Sequence, residues 1–268
     1  MNPTLEKLHD IENNGYQIDF GNVFNHAFDN YKKIALYAGL VLFIFAFIFF
    51  VLFFMSFGLY ITSLNIESVN NQLIENLEHH KNLDGPMVSM VLSILVLSLV
   101  LTPFSAGFYK MSERADKDLE FKFSSMFAYY KSPYFFRIIL ASILNAIISM
   151  LITTMILSLL TMANINQFGI ILLSNYLTSF LVYLFTFLTI PLVIFGNLNA
   201  IDAIKHSILI VSKQPFVLAG LLITSIIGAL VGFMGCCIGL IFTLPFLYSM
   251  NYAIYNAIIG VDDTIENE

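Results

Sequence analysis

The sequence predicts an all-α fold: a polytopic membrane bundle of six transmembrane helices, built as three repeats of an amphipathic cytoplasmic helix plus a transmembrane hairpin. Composition comes first. The chain is 58% hydrophobic and 11% charged, with a mean hydropathy of +0.83. Soluble domains carry roughly 25% charged residues and cannot keep so much apolar surface from water. Long apolar runs come second, several of them reaching the roughly 18 charge-free residues that a helix needs to cross a bilayer. Third, Lys and Arg gather in alternate loops, which places every basic loop on the same side of the membrane.

Residues 1–19 read as a polar N-terminal tail with at most one helical turn. They hold no apolar core followed by small residues, so no cleavable signal peptide is expected. Phe20, Val23, Phe24, Ala27, Phe28 and Tyr31 then fall on one helical face, opposite Asn22, Asn25, Asp29 and Asn30. With Lys32 and Lys33 at its end, this segment suits a helix lying in the membrane interface. A cytoplasmic helix packed on the span ends fits equally well. Span 1 covers Ile34 to Tyr60 and continues outward along Ile66, Val69, Leu73 and Leu77 until Asp84-Gly85-Pro86 stops it. Glu75, Glu78, His79 and His80 cluster in this outer loop. A solvated helix face explains them better than a metal site, because a third ligand cannot be named.

Span 2, Met87 to Phe108, carries Thr102-Pro103 and empties into Lys110, Arg114, Lys117, Lys122, Lys131 and Arg137. Glu113, Asp116, Asp118 and Glu120 sit among these bases and read as a mixed-charge loop. A second amphipathic segment places Phe123, Met126, Phe127 and Tyr130 on one face, with Ser124 as its N-cap. After Pro133, span 3 runs from Tyr134 to Met162, the uncharged link ANINQ turns the chain, and span 4 runs from Phe168 to Phe195. The third amphipathic segment has Leu198, Ile201, Ile204, Ile208 and Val211 as its stripe, with Asp202, Lys205, His206 and Lys213 as polar companions. Spans 5 and 6 fill Phe216 to Ile259 and turn near Gly235-Cys-Cys-Ile-Gly239. A single domain over 20–260 therefore divides into units 20–109, 121–196 and 198–259, and 261–268 is an acidic C-terminal tail.

The repeat is visible in the prolines. Each even-numbered span carries Thr shortly before Pro: Thr102-Pro103, Thr189-Ile190-Pro191 and Thr243-Leu244-Pro245. A proline frees the carbonyl four residues earlier, here that of Leu99, Phe187 or Ile241, and kinks the helix. Proline is also common in membrane helices for unrelated reasons, and that is the competing explanation.

Chemistry-bearing residues are sparse. No ionisable side chain lies in the middle of any predicted span, which argues against an ion-coupled transporter. Asn145, Ser149 and Thr153 share one face of span 3 as a polar seam, with Thr154 beside them and Thr224 and Ser225 in span 5. Interhelical hydrogen bonding explains such a seam more readily than a pathway does. Gly228, Gly232, Gly235 and Gly239 mark close helix contacts and a tight turn. Cys236 and Cys237 are adjacent, neither a disulfide framework nor a metal spacing. His9, His26 and His206 are scattered, no catalytic or phosphate-binding motif appears, and no cofactor is implied.

The F-x-x-A-F lead-in at Phe24–Phe28, the aromatic segment FSSMFAYY, the AIDAIKHS segment at Ala200–Ser207 and the Gly-rich turn before F-T-L-P together resemble a loose group of bacterial membrane proteins. These are the YciC-like proteins and the membrane domain attached to some glycerophosphodiester phosphodiesterases. The resemblance covers nearly the whole chain and implies a six-helix inner-membrane protein. It brings no phosphodiesterase activity, because the soluble domain is missing. Some similar-looking chains carry a carotenoid-cleaving oxygenase label, but five scattered histidines offer no four-histidine iron site.

The expected role is a non-enzymatic scaffold that binds membrane lipid, a protein partner or a second copy of itself, and no nucleic acid. Lys110, Arg114, Lys117 and Lys122 are the expected headgroup contacts, and both termini face the cytoplasm. The alternative is a transporter or permease for an uncharged or lipidic substrate, with Asn145, Ser149 and Thr153 lining its path and Pro103, Pro191 and Pro245 hinging its helices.

Overall fold

A computed structural model describes residues 3–63, 85–120, 123–165, 167–235 and 238–261. Among these residues every regular element is helical. The expectations for the outer-loop acids and histidines, for Lys122, for Cys236-Cys237 and for the acidic tail from 262 onward lie outside the described residues. Among the described residues, four helices are long and apolar enough to cross a membrane: Phe20–Ile48, Phe135–Met162, Phe168–Ile194 and Pro215–Met234.

The N-terminal segment is more than a polar tail. Helix α1, Pro3–Asn14, buries Thr4, Leu8 and Ile11 against the main core. That stripe is one residue wide in an otherwise polar sequence, so periodicity alone underrates it. Polar ties complete the docking. Lys7 Nζ donates to the Ile259 carbonyl at 2.5 Å, Lys213 Nζ to that of Glu12 at 2.7 Å, and the Tyr16 hydroxyl to that of Ile210 at 3.0 Å. The Gln214 amide donates to the Tyr16 carbonyl. Burial raises the Tyr16 hydroxyl above its ordinary pKa, which keeps it a donor.

The first amphipathic segment is no separate helix. Helix α2 runs unbroken over Phe20–Ser63, 44 residues, or about 66 Å at 1.5 Å per residue. No proline interrupts it, and its buried residues Val23, Ala27, Asn30, Ile34, Ala38 and Val41 form one continuous stripe. Phe20 and Phe28, expected on the apolar face, are about two-fifths exposed at 41% and 42%. The small residues of this segment meet the core and the phenyl rings flank it.

Helix α3, Gly85–Asp116, contains Pro103 without a break. The segment after it is a 3₁₀ helix, Phe123–Tyr130, instead of the expected α-helical turn. Its Met126 backbone lies against Gly107, where any Cβ would collide with it. Helices α4, Phe135–Met162, and α5, Phe168–Thr186, form the hairpin expected around ANINQ. Pro191 sits in the short α6, Thr189–Ile194, and the chain breaks just before it at Phe187-Leu188.

Helix α7, Ala200–Lys213, opens on Asn199, whose side chain accepts from the Asp202 amide at 2.9 Å. It buries Ala200, Ala203, Ile204, Ser207, Ile210 and Val211, while Ile201 and Ile208 are exposed. The expected stripe is thus rotated toward the small residues. Helix α8, Pro215–Val231, leads into a 3₁₀ turn at Gly232–Gly235. The return is split into α9, Ile238–Thr243, and α10, Pro245–Ile258, with Pro245 at the first turn of α10.

The core gathers around α10. Pro245, Phe246 and the continuous run Ser249 to Tyr255 are buried there, packed by α2, α3, α6 and α8. Most of the described buried residues lie toward the end of the molecule that carries the basic segments. At the opposite end, α4 and α5 stand exposed, with Leu151, Met155, Leu159 and Leu173 uncovered. A tight head thus carries an open α4–α5 arm.

Candidate functional site

Two polar places stand out: a cleft within the α4–α5 arm and a network along α10. The cleft is where the seam expected from sequence ends. Thr153 of α4 lines a pocket of about 50 Å³ with Ser174, Asn175 and Thr178 of α5, walled by Ile156, Leu157, Leu160 and Ile171. Ser149 and Asn145 continue the same face of α4 one and two turns farther toward the head. Asn145 keeps a buried Oδ1 without a partner.

Hydroxyls elsewhere on these helices fold back on their own backbone. Ser142 donates to the Ile138 carbonyl at 2.9 Å, Thr154 to Met150 at 2.8 Å, Ser158 to Met155 at 2.7 Å and Thr186 to Val182 at 2.8 Å. On the cleft face, Ser149, Thr153, Ser174, Asn175 and Thr178 have no side-chain partner among the described residues. The interhelical hydrogen bonds that would account for the seam structurally are not made there.

The network is centred on Asp116, the last residue of α3. His26 Nε2 of α2 lies 2.5 Å from Asp116 Oδ1. The Tyr252 hydroxyl and the Asn256 amide of α10 both donate to Oδ2 at 3.0 Å. A carboxylate only accepts, so the His26 Nε2 proton faces it. Burial pushes the Asp116 carboxyl up, but His26, Tyr252 and Asn30 outweigh it and hold the group below its ordinary range. An Asp–His pair is also half of a proton-transfer relay. Here every neighbouring donor is aimed at the one carboxylate, which makes it a clamp joining α2, α3 and α10. Lys33 reinforces it by donating to the Ala115 carbonyl at 2.9 Å and pairing with Asp118 at 2.5 Å.

No family model, curated protein or solved structure matches this chain. Its functional reading therefore rests on the side chains. The network continues away from Asp116 along α3 and α10. The Ser112 and Ser249 hydroxyls are 3.4 Å apart, and Asn251 Nδ2 donates to Tyr109 at 3.2 Å and to Tyr183 of α5 at 3.1 Å. Asn251 Oδ1 and Thr189 Oγ1 are buried without hydrogen-bond partners among the described residues.

The expected headgroup contacts are mostly engaged within the protein. Lys110 and Lys117 flank the buried Glu113, at 2.7 Å from Oε2 and 3.4 Å from Oε1. Arg114 Nε donates to the Glu120 carbonyl at 2.7 Å. Lys131 and Lys205 are exposed and have no partner among the described residues. Pro103, Pro191 and Pro245 do not act alike, since only the latter two adjoin helix breaks. No three or more His, Cys, Asp or Glu side chains are grouped to hold a metal ion among the described residues.

Sequence reading missed the α10 network although its stripes are helical: Tyr109, Ser112 and Asp116 on α3 against Ser249, Tyr252 and Asn256 on α10. It also missed the α5 side of the cleft. Ser174 and Thr178 are a turn apart, and that spacing was the available signal.

Proposed function

We propose that this is a six-span protein of the cytoplasmic (inner) membrane, with both termini in the cytoplasm, acting without catalysis as a lipid- or partner-binding scaffold. The observation that carries this reading is the one-sided build: a polar-clamped head at the basic end and an open helical arm beyond it. A catalytic role would need reactive groups converging on one pocket. Here the ionisable groups converge on structural ties such as Asp116 and Glu113. The likeness to YciC-like proteins supports the span count and nothing finer. The threefold repeat also stays a proposal, supported by the Thr–Pro spacing and by a helical segment before each hairpin.

On this reading the basic surface meets anionic headgroups, each Lys or Arg near the surface contributing about 1 kcal/mol. Replacing the exposed Lys131 and Lys205 together by Gln is expected to weaken fluorescent phosphatidylglycerol binding by the detergent-purified protein at least about tenfold, where about 1.4 kcal/mol is tenfold. The loss should shrink as salt screens the charges. Unchanged affinity at low salt contradicts the headgroup assignment.

The open hydroxyls of the cleft favour a second reading, a permease for an uncharged or lipidic substrate. It predicts that Asn145→Leu combined with Pro191→Ala abolishes flux of that substrate in proteoliposomes. Full flux in the double variant contradicts it.

A further inference from the structure

The α4–α5 cleft has the chemistry of a binding site for a neutral lipid. Its polar lining is a carboxamide and three hydroxyls, Asn175, Thr153, Ser174 and Thr178, and no lining residue carries a charge. These groups offer both donors and acceptors. Thr178 is 5% exposed, and its hydroxyl has no partner among the described residues. Neighbouring Thr154 and Ser158 show that a hydroxyl on α4 readily bonds its own carbonyls when nothing else is offered. In a bilayer a side-chain hydrogen bond contributes on the order of 1 kcal/mol, so an occupant that completes these groups is favoured.

Depth narrows the occupant. Thr153 lies nine residues before the end of α4 and Thr178 ten residues into α5, which puts both about 14–15 Å from the hairpin turn at 1.5 Å per residue. If the hairpin spans, that level is near the middle of a hydrocarbon core about 30 Å thick. A phosphate headgroup dragged there would lose its hydration with no cation to replace it. The pocket, about 50 Å³, takes a hydroxyl or carbonyl and a short stretch of chain, not a headgroup of drug size. The flanking Leu151, Met155, Leu173 and Leu177 are exposed and leave room for the rest of an acyl or isoprenoid chain alongside.

We infer that the α4–α5 cleft binds an uncharged amphiphile, such as a diacylglycerol or a long-chain alcohol, through hydrogen bonds from its hydroxyl or carbonyl group to Thr153, Ser174, Asn175 and Thr178. The inference needs α4 and α5 to span the bilayer. It is independent of whether the basic head binds anionic lipid.

The test uses the full chain in nanodiscs with two photoreactive, alkyne-tagged probes, a diacylglycerol and a phosphatidylglycerol carrying the same diazirine chain. The diacylglycerol is expected to label peptides from 151–160 and 171–178, with competition by unlabelled diacylglycerol. Thr153→Val with Thr178→Val keeps side-chain shape, and its melting temperature reports whether folding is preserved. In the folded double variant labelling should fall about tenfold, two hydrogen bonds at roughly 0.5–1.5 kcal/mol each. Ser158→Ala, on the self-bonded face, should leave labelling unchanged. Unchanged labelling in the double variant overturns the inference. So does equal labelling of the same peptides by the phosphatidylglycerol probe. Should the double variant fail to fold, Asn175→Leu on its exposed position replaces it, with the same expected loss and the same contrary result. Loss of anionic binding in the basic-surface variant with intact cleft labelling separates the two readings.

Discussion

Asp116→Ala is expected to destabilise the protein by about 1–3 kcal/mol, because it removes the acceptor of a buried donor. That donor is the Tyr252 hydroxyl, on a fully buried residue. His26 and Asn256 also lose their partner but are near enough to solvent to rehydrate, so they add little. Thermal unfolding in detergent, followed by circular dichroism, measures the loss. Asp116→Asn keeps an acceptor oxygen but turns an amide toward donors, so it should fall between wild type and the Ala variant. The pH dependence has a definite sign. The folded-state pKa of Asp116 is depressed, so its contribution is fully present above the unfolded carboxylate pKa of about 3.9. It is lost as pH falls through the still lower folded value. The gap in melting temperature between wild type and Asp116→Asn should therefore be constant from pH 8 to about 5 and close below about pH 4. A gap that opens as pH falls would show that Asp116 is not the anchor of the clamp.

None of this clamp was readable from local pattern. His26 is 90 positions from Asp116 and Tyr252 is 136 away, and periodicity reports only neighbours on one helix. Asp116 looked like one acid in a mixed-charge loop because α3 was expected to end at the membrane surface. It continues to Asp116, which carries the carboxylate onto the side of α10. The α4–α5 hairpin, by contrast, was readable almost to the residue, because a charge-free run bounded by ANINQ leaves few alternatives. The rotated face of α7 shows what hydropathy cannot distinguish. Ile201 and Ile208 are more apolar than Ala203 and Ser207, yet the small residues are the buried ones. Close helix contact selects for side chains that let backbones approach, and Ser207 also donates to the Phe185 carbonyl at 2.8 Å. The seam was legible on α4 because Asn145, Ser149 and Thr153 repeat every four residues. Its other wall on α5 stayed hidden among ordinary span residues.

Gly232→Val should cost about 3 kcal/mol or more, the upper end of what overpacking does, because the obstruction is backbone and cannot swing away. A Cβ at Gly232 would run into the Gly239 carbonyl group and the Thr243 hydroxyl, and a Cβ at Gly239 would meet the Gly232 carbonyl in return. The two glycines therefore bring the end of α8 and the start of the return helix into direct backbone contact. Thr243 fastens the same junction by donating to the Ala229 carbonyl at 2.5 Å. The strain would not stay local. The ring of Phe242, one residue earlier, fills the space above Gly39 of α2, so pushing α9 outward also separates α9 from the longest helix in the structure. A shift of about 6–12 °C in melting temperature is expected, taking roughly 2–4 °C per kcal/mol for a chain near this size. Gly169→Ala, where added atoms meet nothing within 4 Å, should stay within about 0.5 kcal/mol of wild type. One further variant separates the two obstructions. Combining Gly232→Val with Thr243→Ala removes the hydroxyl clash and leaves the backbone clash, so the double variant should recover little. Substantial recovery would mean that the threonine sets the spacing, and that the glycine pair merely tolerates it.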